Sequence, residues 1–151
     1  MEKMKPILLV EDNEDDIDLT LLCLKKNNIA NRVDVVRDGA EALDYIFGLG
    51  RYASRDLSDR PAVILLDLNL PKVSGLEVLT KVRSEERTKR LPIVVFSTSN
   101  EEKDIARSYD GGANSYIRKP VDLAQFNEAI RQLGLYWVLL NEHPPSTLKM
   151  I

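Results

Sequence analysis

Short apolar runs recur along the chain and predict buried strands. The three clearest runs cover residues 6–10, 62–66 and 93–96, and two weaker ones cover residues 32–36 and 114–118. The clear runs are continuous rather than alternating, and they are rich in β-branched residues. This pattern is typical of strands that are covered on both faces of a parallel sheet.

Stretches with helical character lie between and after these strands. They cover residues 14–27, 38–48, 74–84, 100–110 and 121–142. The last stretch predicts one long helix with a continuous apolar face, which comprises Leu123, Phe126, Ile130, Leu133, Trp137 and Leu140. The repeated alternation of strand and helix predicts an α/β fold with a doubly wound, five-stranded parallel sheet. We expect helices on both faces of this sheet and an extended C-terminal helix.

Composition and charge narrow the range of functions. The chain has 151 residues and a formal net charge of −3, which argues against a nucleic-acid or membrane-surface binder. Its single cysteine and single histidine exclude a disulfide framework and a Cys/His zinc site. The longest purely apolar runs are far shorter than the roughly 20 residues of a membrane span. We therefore expect a cytoplasmic protein with one domain at residues 1–143 and a tail at residues 144–151.

Polar residues follow the apolar runs at the points where the strands end. Glu11 and Asp12 follow the first run, Asp67 follows the third, Ser97 follows the fourth and Lys119 follows the fifth. Parallel strands all point one way, so these groups are expected to converge at one edge of the sheet. Grouped carboxylates favour a hard cation such as Mg²⁺, and a hydroxyl and a lysine suit the oxygens of a phosphoryl group. The set predicts phosphoryl transfer to an aspartate.

Four segments carry a resemblance to a known family. They are Leu-Val-Glu-Asp at residues 9–12, Leu-Leu-Asp-Leu-Asn-Leu-Pro at 65–71 with Gly75 downstream, Val-Val-Phe-Ser-Thr at 94–98, and Tyr-Ile-Arg-Lys-Pro at 116–120. With these segments in this order, residues 5–133 resemble the receiver domain of two-component response regulators. The resemblance implies a flavodoxin-like sheet with strand order 2-1-3-4-5. It also implies a sensor histidine kinase as the phosphoryl donor.

The resemblance assigns roles to the polar residues at the strand ends. Asp67 would be the phosphoacceptor, and the chain would catalyse its own phosphorylation and dephosphorylation there. Asp12 would bind Mg²⁺ directly, Glu11 would bind it through water, and Asn69 would contribute its backbone carbonyl. Lys119 would pair with the phosphoryl group.

The same resemblance implies a conformational switch beside the acceptor. Ser97 would supply the switch hydroxyl, Tyr116 would change rotamer with it, and the bond between Lys119 and Pro120 would be cis. Glu at position 11 and Thr98 depart from the family's commoner residues, and Thr98 is expected to narrow the route to Asp67.

The predicted last helix is apolar nearly all round beyond residue 133. Such a surface must be covered, either by the chain's own tail or the loop at residues 50–60, or by a homodimer or another partner. The candidate interface residues are Leu135, Tyr136, Trp137 and Leu139. The long loop before the third strand and the Tyr-Trp-rich helical extension also resemble the single-domain regulators of bacterial phytochrome histidine kinases.

These observations predict a stand-alone receiver that switches conformation to signal to a downstream protein. The alternatives within the family are a phosphorelay shuttle and a phosphate sink. An unphosphorylated binding module is an alternative of another class. A phosphatase of the haloacid-dehalogenase type is disfavoured because Asn69 stands where such enzymes place a second acid/base aspartate.

Overall fold

Five parallel strands form a single sheet in a computed structural model that describes residues 4–145. They are β1 (Ile7–Val10), β2 (Val33–Val36), β3 (Val63–Leu66), β4 (Ile93–Ser97) and β5 (Ser115–Arg118). Their spatial order is β2-β1-β3-β4-β5. Both the predicted parallel sheet and its strand order are therefore confirmed.

Five α-helices accompany the strands, close to the predicted positions. They are α1 (Glu14–Lys26), α2 (Gly39–Phe47), α3 (Gly75–Ser84), α4 (Glu102–Asp110) and α5 (Leu123–Gly134). Four helices begin at a polar N-cap residue whose side chain accepts a backbone N–H three residues later: Asn13, Asp38, Ser74 and Asp122. These caps fix the residues at which the four helices begin.

Two hydrophobic clusters cover the two faces of the sheet. Leu8, Val10, Ile64 and Leu66 point to the side where α2 and α3 pack. The alternate residues of the same strands, such as Leu9 and Leu65, point to the side of α1 and α5. β1 and β3 lie inside the sheet and are buried on both faces, which explains why their sequences are continuous apolar runs. The doubly wound architecture is confirmed.

The C-terminal helix differs from the predicted single α-helix. After Gly134 it continues as a π-helical segment, Leu135–Leu140, and Asn141 N donates to Tyr136 O five residues earlier. The wider π turn changes the side-chain period, so the predicted apolar face does not continue to its end. Leu140 is 64% exposed, and Leu123, in the first turn of α5, is also 64% exposed. The buried face of α5 therefore begins at Phe126.

The predicted interface residues divide into two groups. Trp137 packs against the chain's own core on the side of α1 and α5. Leu135, Tyr136 and Leu139 are exposed.

The loop at residues 50–60 contains a short 3₁₀ turn, Gly50–Tyr52. Residues 146–151 of the predicted tail lie outside the described residues. Among the helices that the structure describes, none has the length and apolar character needed to cross a membrane.

Candidate functional site

Three carboxylates meet at the carboxyl edge of the sheet. Val10 and Leu66 are paired between β1 and β3, so Glu11 and Asp12 emerge beside Asp67. Glu11, Asp12 and Asp67 each offer an oxygen, and these oxygens lie within 4.8 Å of one another. Glu11 and Asp67 are buried, whereas Asp12 is exposed. An oxygen-only set that is partly open to solvent fits a hard divalent cation that retains water ligands.

The Lys119 ammonium lies among the same carboxylates. It donates to Glu11 Oε1, to Asp16 Oδ2 at 3.0 Å and to Asp67 Oδ2 at 3.3 Å. The residue is only 6% exposed, so its charge is compensated mainly by these carboxylates and not by water. Backbone pairing helps to position it, because Lys119 N donates to Ser97 O at 2.7 Å.

Asp16 is the contact that the sequence reasoning missed. It lies in the first turn of α1, where acidic residues are common because they stabilise the helix N-terminus. The available signal was its position four residues after Asp12. Asp12 precedes α1, so this spacing is not a helical pair; it shows only that Asp16 lies in the first turn of the helix that directly follows Glu11 and Asp12.

The electrostatics of the site show an excess of negative charge. The pKa of Glu11 is raised overall from 4.5 to about 7: burial raises it most, the Asp67 carboxylate also raises it, and Lys119 opposes the shift. Burial lowers the pKa of Lys119, but its bond to Glu11 and the charge of Asp67 outweigh that effect, so this pKa is raised overall. One ammonium therefore faces several carboxylates, which is an arrangement that a divalent cation would stabilise.

Ser97 and Asn69 lie at the same edge of the sheet but outside the carboxylate cluster, and Tyr116 lies within β5. Ser97 is fully buried at the end of β4, and its Oγ accepts from Ser99 N at 3.3 Å. Asn69 N donates to Asp67 Oδ1 at 3.3 Å. The Tyr116 hydroxyl donates to Ser99 O at 2.8 Å, which ties this aromatic ring to the loop that follows Ser97.

The predicted cis bond before Pro120 is wrong in this structure. Residues 4–145 contain no cis peptide bond, so Lys119 and Pro120 are joined in trans. The trans form is the more stable one for an X–Pro bond, by about 0.5–1 kcal/mol. Lys119 makes all its contacts to the carboxylates with the trans bond, so these contacts do not require the cis form.

Gly75 allows α3 to begin directly behind Asp67. A Cβ at this position would lie 2.2 Å from Asp67 O and 2.7 Å from Leu68 Cα. Only glycine permits this approach, because both obstructing atoms belong to the backbone. Gly75 N also donates to Leu68 O at 3.0 Å, which fixes the turn that carries Asp67.

Sheet order and site together define a class of protein. The strand order places the boundary between β1 and β3 at the topological switch point of a flavodoxin-like sheet, where ligands bind in this architecture. The carboxylates and Lys119 lie at that point. The family model "Response regulator receiver domain" matches residues 7–131. The chain therefore belongs to the response regulator receiver domain family, and the resemblance seen in the sequence is confirmed.

Known relatives are similar over most of the chain. The probable methanogenesis regulatory protein FilR2 of Methanothrix harundinacea is 37% identical over 138 residues, which cover 91% of this chain and 86% of that protein. The response regulator Rcp1 of Synechocystis sp. is 37% identical over 134 residues, which cover 89% of each. The crystal structure of the Mn(2+)-bound form of Rcp1 has a TM-score of 0.86 and 35% identity, and it covers 93% of this chain and 99% of that one.

A further solved structure, the phosphorylated cyanobacterial phytochrome response regulator RcpA, has a TM-score of 0.88 and 42% identity. The match covers 95% of this chain and 100% of that one. The predicted similarity to the single-domain regulators associated with phytochromes is therefore confirmed as a similarity of sequence and fold.

Proposed function

We propose that this chain is a receiver that accepts a phosphoryl group on Asp67 from a histidine kinase and then signals to another protein. The observation that carries the proposal is the joint position of Asp67, the neighbouring carboxylates and Lys119 at the switch point of the sheet. A nucleophilic carboxylate, a cation site and a fixed ammonium are the parts that phosphoryl transfer to an aspartate needs.

The transfer step follows from this arrangement. A carboxylate oxygen of Asp67 attacks phosphorus, a new O–P bond forms, and the P–N bond of the donor phosphohistidine breaks, so that the electron pair leaves with the imidazole. Lys119 already contacts Asp67 Oδ2 and can transfer this contact to a phosphoryl oxygen with little movement. The bound acyl phosphate is later hydrolysed in the same site.

Mg²⁺ is the metal that we propose for the site. It would supply charge neutralisation for the phosphoryl oxygens. Asp12 and Asp67 would hold it directly, Glu11 through water and Asn69 through its backbone carbonyl. The oxygen-only donor set supports a hard cation, and the related Rcp1 is known in a Mn(2+)-bound form.

The switch is proposed to run through Ser97 and Tyr116. A phosphoryl oxygen on Asp67 would accept a hydrogen bond from the Ser97 hydroxyl, which would draw the following loop toward the site. The Tyr116 hydroxyl donates to Ser99 O in that loop, so its bond would break or re-form when the loop moves. The phosphoryl group would change the populations of the two arrangements only to the extent that its contacts differ between them.

The partners are proposed from the relatives and from the exposed surface. RcpA is a phytochrome response regulator, which supports a phytochrome-type histidine kinase as the donor.

Leu135, Tyr136 and Leu139 form an exposed apolar patch that would suit a homodimer contact. Leu139→Ser together with Tyr136→Ser should then convert a dimer to a monomer in sedimentation, and a wild type that is already monomeric would exclude this contact. The downstream target and the cytoplasmic location stay predictions.

Intact-protein mass spectrometry tests the proposal. The protein is incubated with phosphoramidate or acetyl phosphate and Mg²⁺. The wild type and the exposed control Asp18→Asn should each gain one phosphoryl group, whereas Asp67→Asn should gain none. An adduct on Asp67→Asn, or none on the wild type, would overturn the assignment. The lifetime of the adduct then distinguishes a signalling receiver, which keeps it, from a phosphate sink, which loses it quickly.

A further inference from the structure

Asp16 is a fourth carboxylate that contacts Lys119 but lies outside the metal group. Among the described residues, Glu11, Asp12 and Asp67 form that group, with one oxygen each within 4.8 Å of the others. Asp16 Oδ2 accepts from the Lys119 ammonium at 3.0 Å, which is shorter than the 3.3 Å contact between Lys119 and Asp67 Oδ2. The ammonium is therefore shared between Asp67 and a carboxylate that is no member of the metal group.

The first turn of α1 fixes Asp16 independently of Lys119. Asp16 N donates to the N-cap side chain, Asn13 Oδ1, at 3.0 Å, and Ile17 N donates to Asn13 O at 2.9 Å. Ile17 is buried and packs in the core on the side of α1 and α5. The Asp16 carboxylate is thus carried by a capped and anchored turn. Its bond to Lys119 joins this turn to the residue that follows β5, 103 positions later in the sequence.

The donors of Lys119 are all in use. A lysine ammonium has three N–H donors, and here they serve Glu11, Asp16 and Asp67. A phosphoryl oxygen on Asp67 would take over the contact that Asp67 now makes. The ammonium would have to follow that oxygen, and the bond to Asp16 opposes this movement.

A bound divalent cation would leave this competition in place. The charge of the grouped carboxylates would then be compensated by the cation, whereas Asp16 lies outside the group. The Asp16 side chain is 28% exposed, so its charge is only partly screened by water. The attraction between Asp16 and Lys119 would therefore persist in the loaded site.

We infer that Asp16 is a positioning residue that holds Lys119 back from the phosphoryl group and so makes the phosphorylated state less stable. The inference rests on the proposed phosphorylation of Asp67. Without the Asp16 carboxylate, Lys119 has one competitor fewer, and the protein holds a phosphoryl group more tightly. Mg²⁺ alone gains nothing, because the loss of a nearby negative charge weakens the attraction for a cation.

Calorimetric titration with beryllofluoride tests the inference on the full chain. Beryllofluoride coordinates a carboxylate oxygen and imitates a bound phosphoryl group, so binding is measured without turnover. At saturating Mg²⁺, Asp16→Asn and Asp16→Ala should bind beryllofluoride about two- to fivefold more tightly than the wild type. In a separate titration without beryllofluoride, both variants should bind Mg²⁺ no more tightly than the wild type.

The matched control is Asp15→Asn, which removes an exposed carboxylate from the same turn of α1. It should bind beryllofluoride like the wild type, and an equal gain in this control would assign the effect to net charge and overturn the inference.

The remaining outcomes separate the inference from the proposed function. Weaker or unchanged beryllofluoride binding by the Asp16 variants would overturn the inference, because Asp16 would then support Lys119 or have no effect on it. Tighter Mg²⁺ binding by these variants would also overturn it, because the gain would come from the metal. A wild type that binds beryllofluoride no better than Asp67→Asn would overturn the proposed function and the inference together.

Discussion

Glu11→Gln is expected to change how the stability of the metal-free protein depends on pH. Glu11 is buried at 2% exposure, and it shares its surroundings with Asp67 and Lys119. Burial raises its pKa from 4.5 to about 7, and the Asp67 carboxylate contributes to the shift. Glutamine has the shape of the protonated glutamate but does not titrate. The variant therefore isolates the contribution of this one ionisation.

The sign and the size follow from linkage between protonation and folding. Between pH 4.5 and about 7 the native wild type holds a proton on Glu11 that the unfolded chain has released. The tighter binding of this proton in the native state stabilises the protein. This stabilisation is fully present below pH 4.5 and is lost as the pH rises through about 7. A shift of this size corresponds to roughly 3 kcal/mol.

Urea unfolding in the presence of chelator measures the effect at pH 5, 6, 7 and 8. The free energy of unfolding of Glu11→Gln, relative to the wild type, should rise with pH by about 1–3 kcal/mol and then level off. Asp18→Asn, which removes an exposed carboxylate on α1, should show no such rise. A difference between Glu11→Gln and the wild type that is constant with pH would show that Glu11 does not hold the extra proton in the native protein.

Three further changes test other parts of the site. Asp12→Ala should weaken Mg²⁺ binding by about tenfold or more in a calorimetric titration, because it removes an exposed carboxylate ligand, and an unchanged titration would place the ion elsewhere. Gly75→Ala should destabilise the protein by about 1–3 kcal/mol in urea unfolding, because its Cβ would meet Asp67 O, and wild-type stability would contradict that close approach. In Asp16→Asn, Lys119 loses a carboxylate that competes with the phosphoryl group for its ammonium. Phosphorylation by acetyl phosphate should therefore be faster, by up to about fivefold. A slower rate would contradict this competition.

The sheet and the carboxylate cluster were predictable because the signals were local and repeated. Each strand lies in a short, largely apolar run, and four of the five runs are followed directly by a residue that the site uses. Parallel strands share one direction, so Glu11, Asp67 and Lys119 had to converge once the strand order was known. Asp12 follows from the same argument.

The remaining features depend on contacts that a linear pattern does not record. Asp16 is indistinguishable from a helix-stabilising acidic residue until Lys119 is placed beside it. The period of the last helix changes after Gly134, so Leu140 leaves the face that its spacing predicts. The trans bond before Pro120 differs from the expectation carried by the family resemblance.

Chemical mapping of the phosphorylated residue shows whether Asp67 is the acceptor. Phosphorylated protein is treated with borohydride, which reduces an acyl phosphate of aspartate to homoserine, and the peptides are then sequenced by mass spectrometry. Homoserine is expected at position 67 and at no other aspartate, and only when Mg²⁺ was present during phosphorylation. Homoserine at Asp12 or Asp16 instead, or its formation in the presence of chelator, would contradict it.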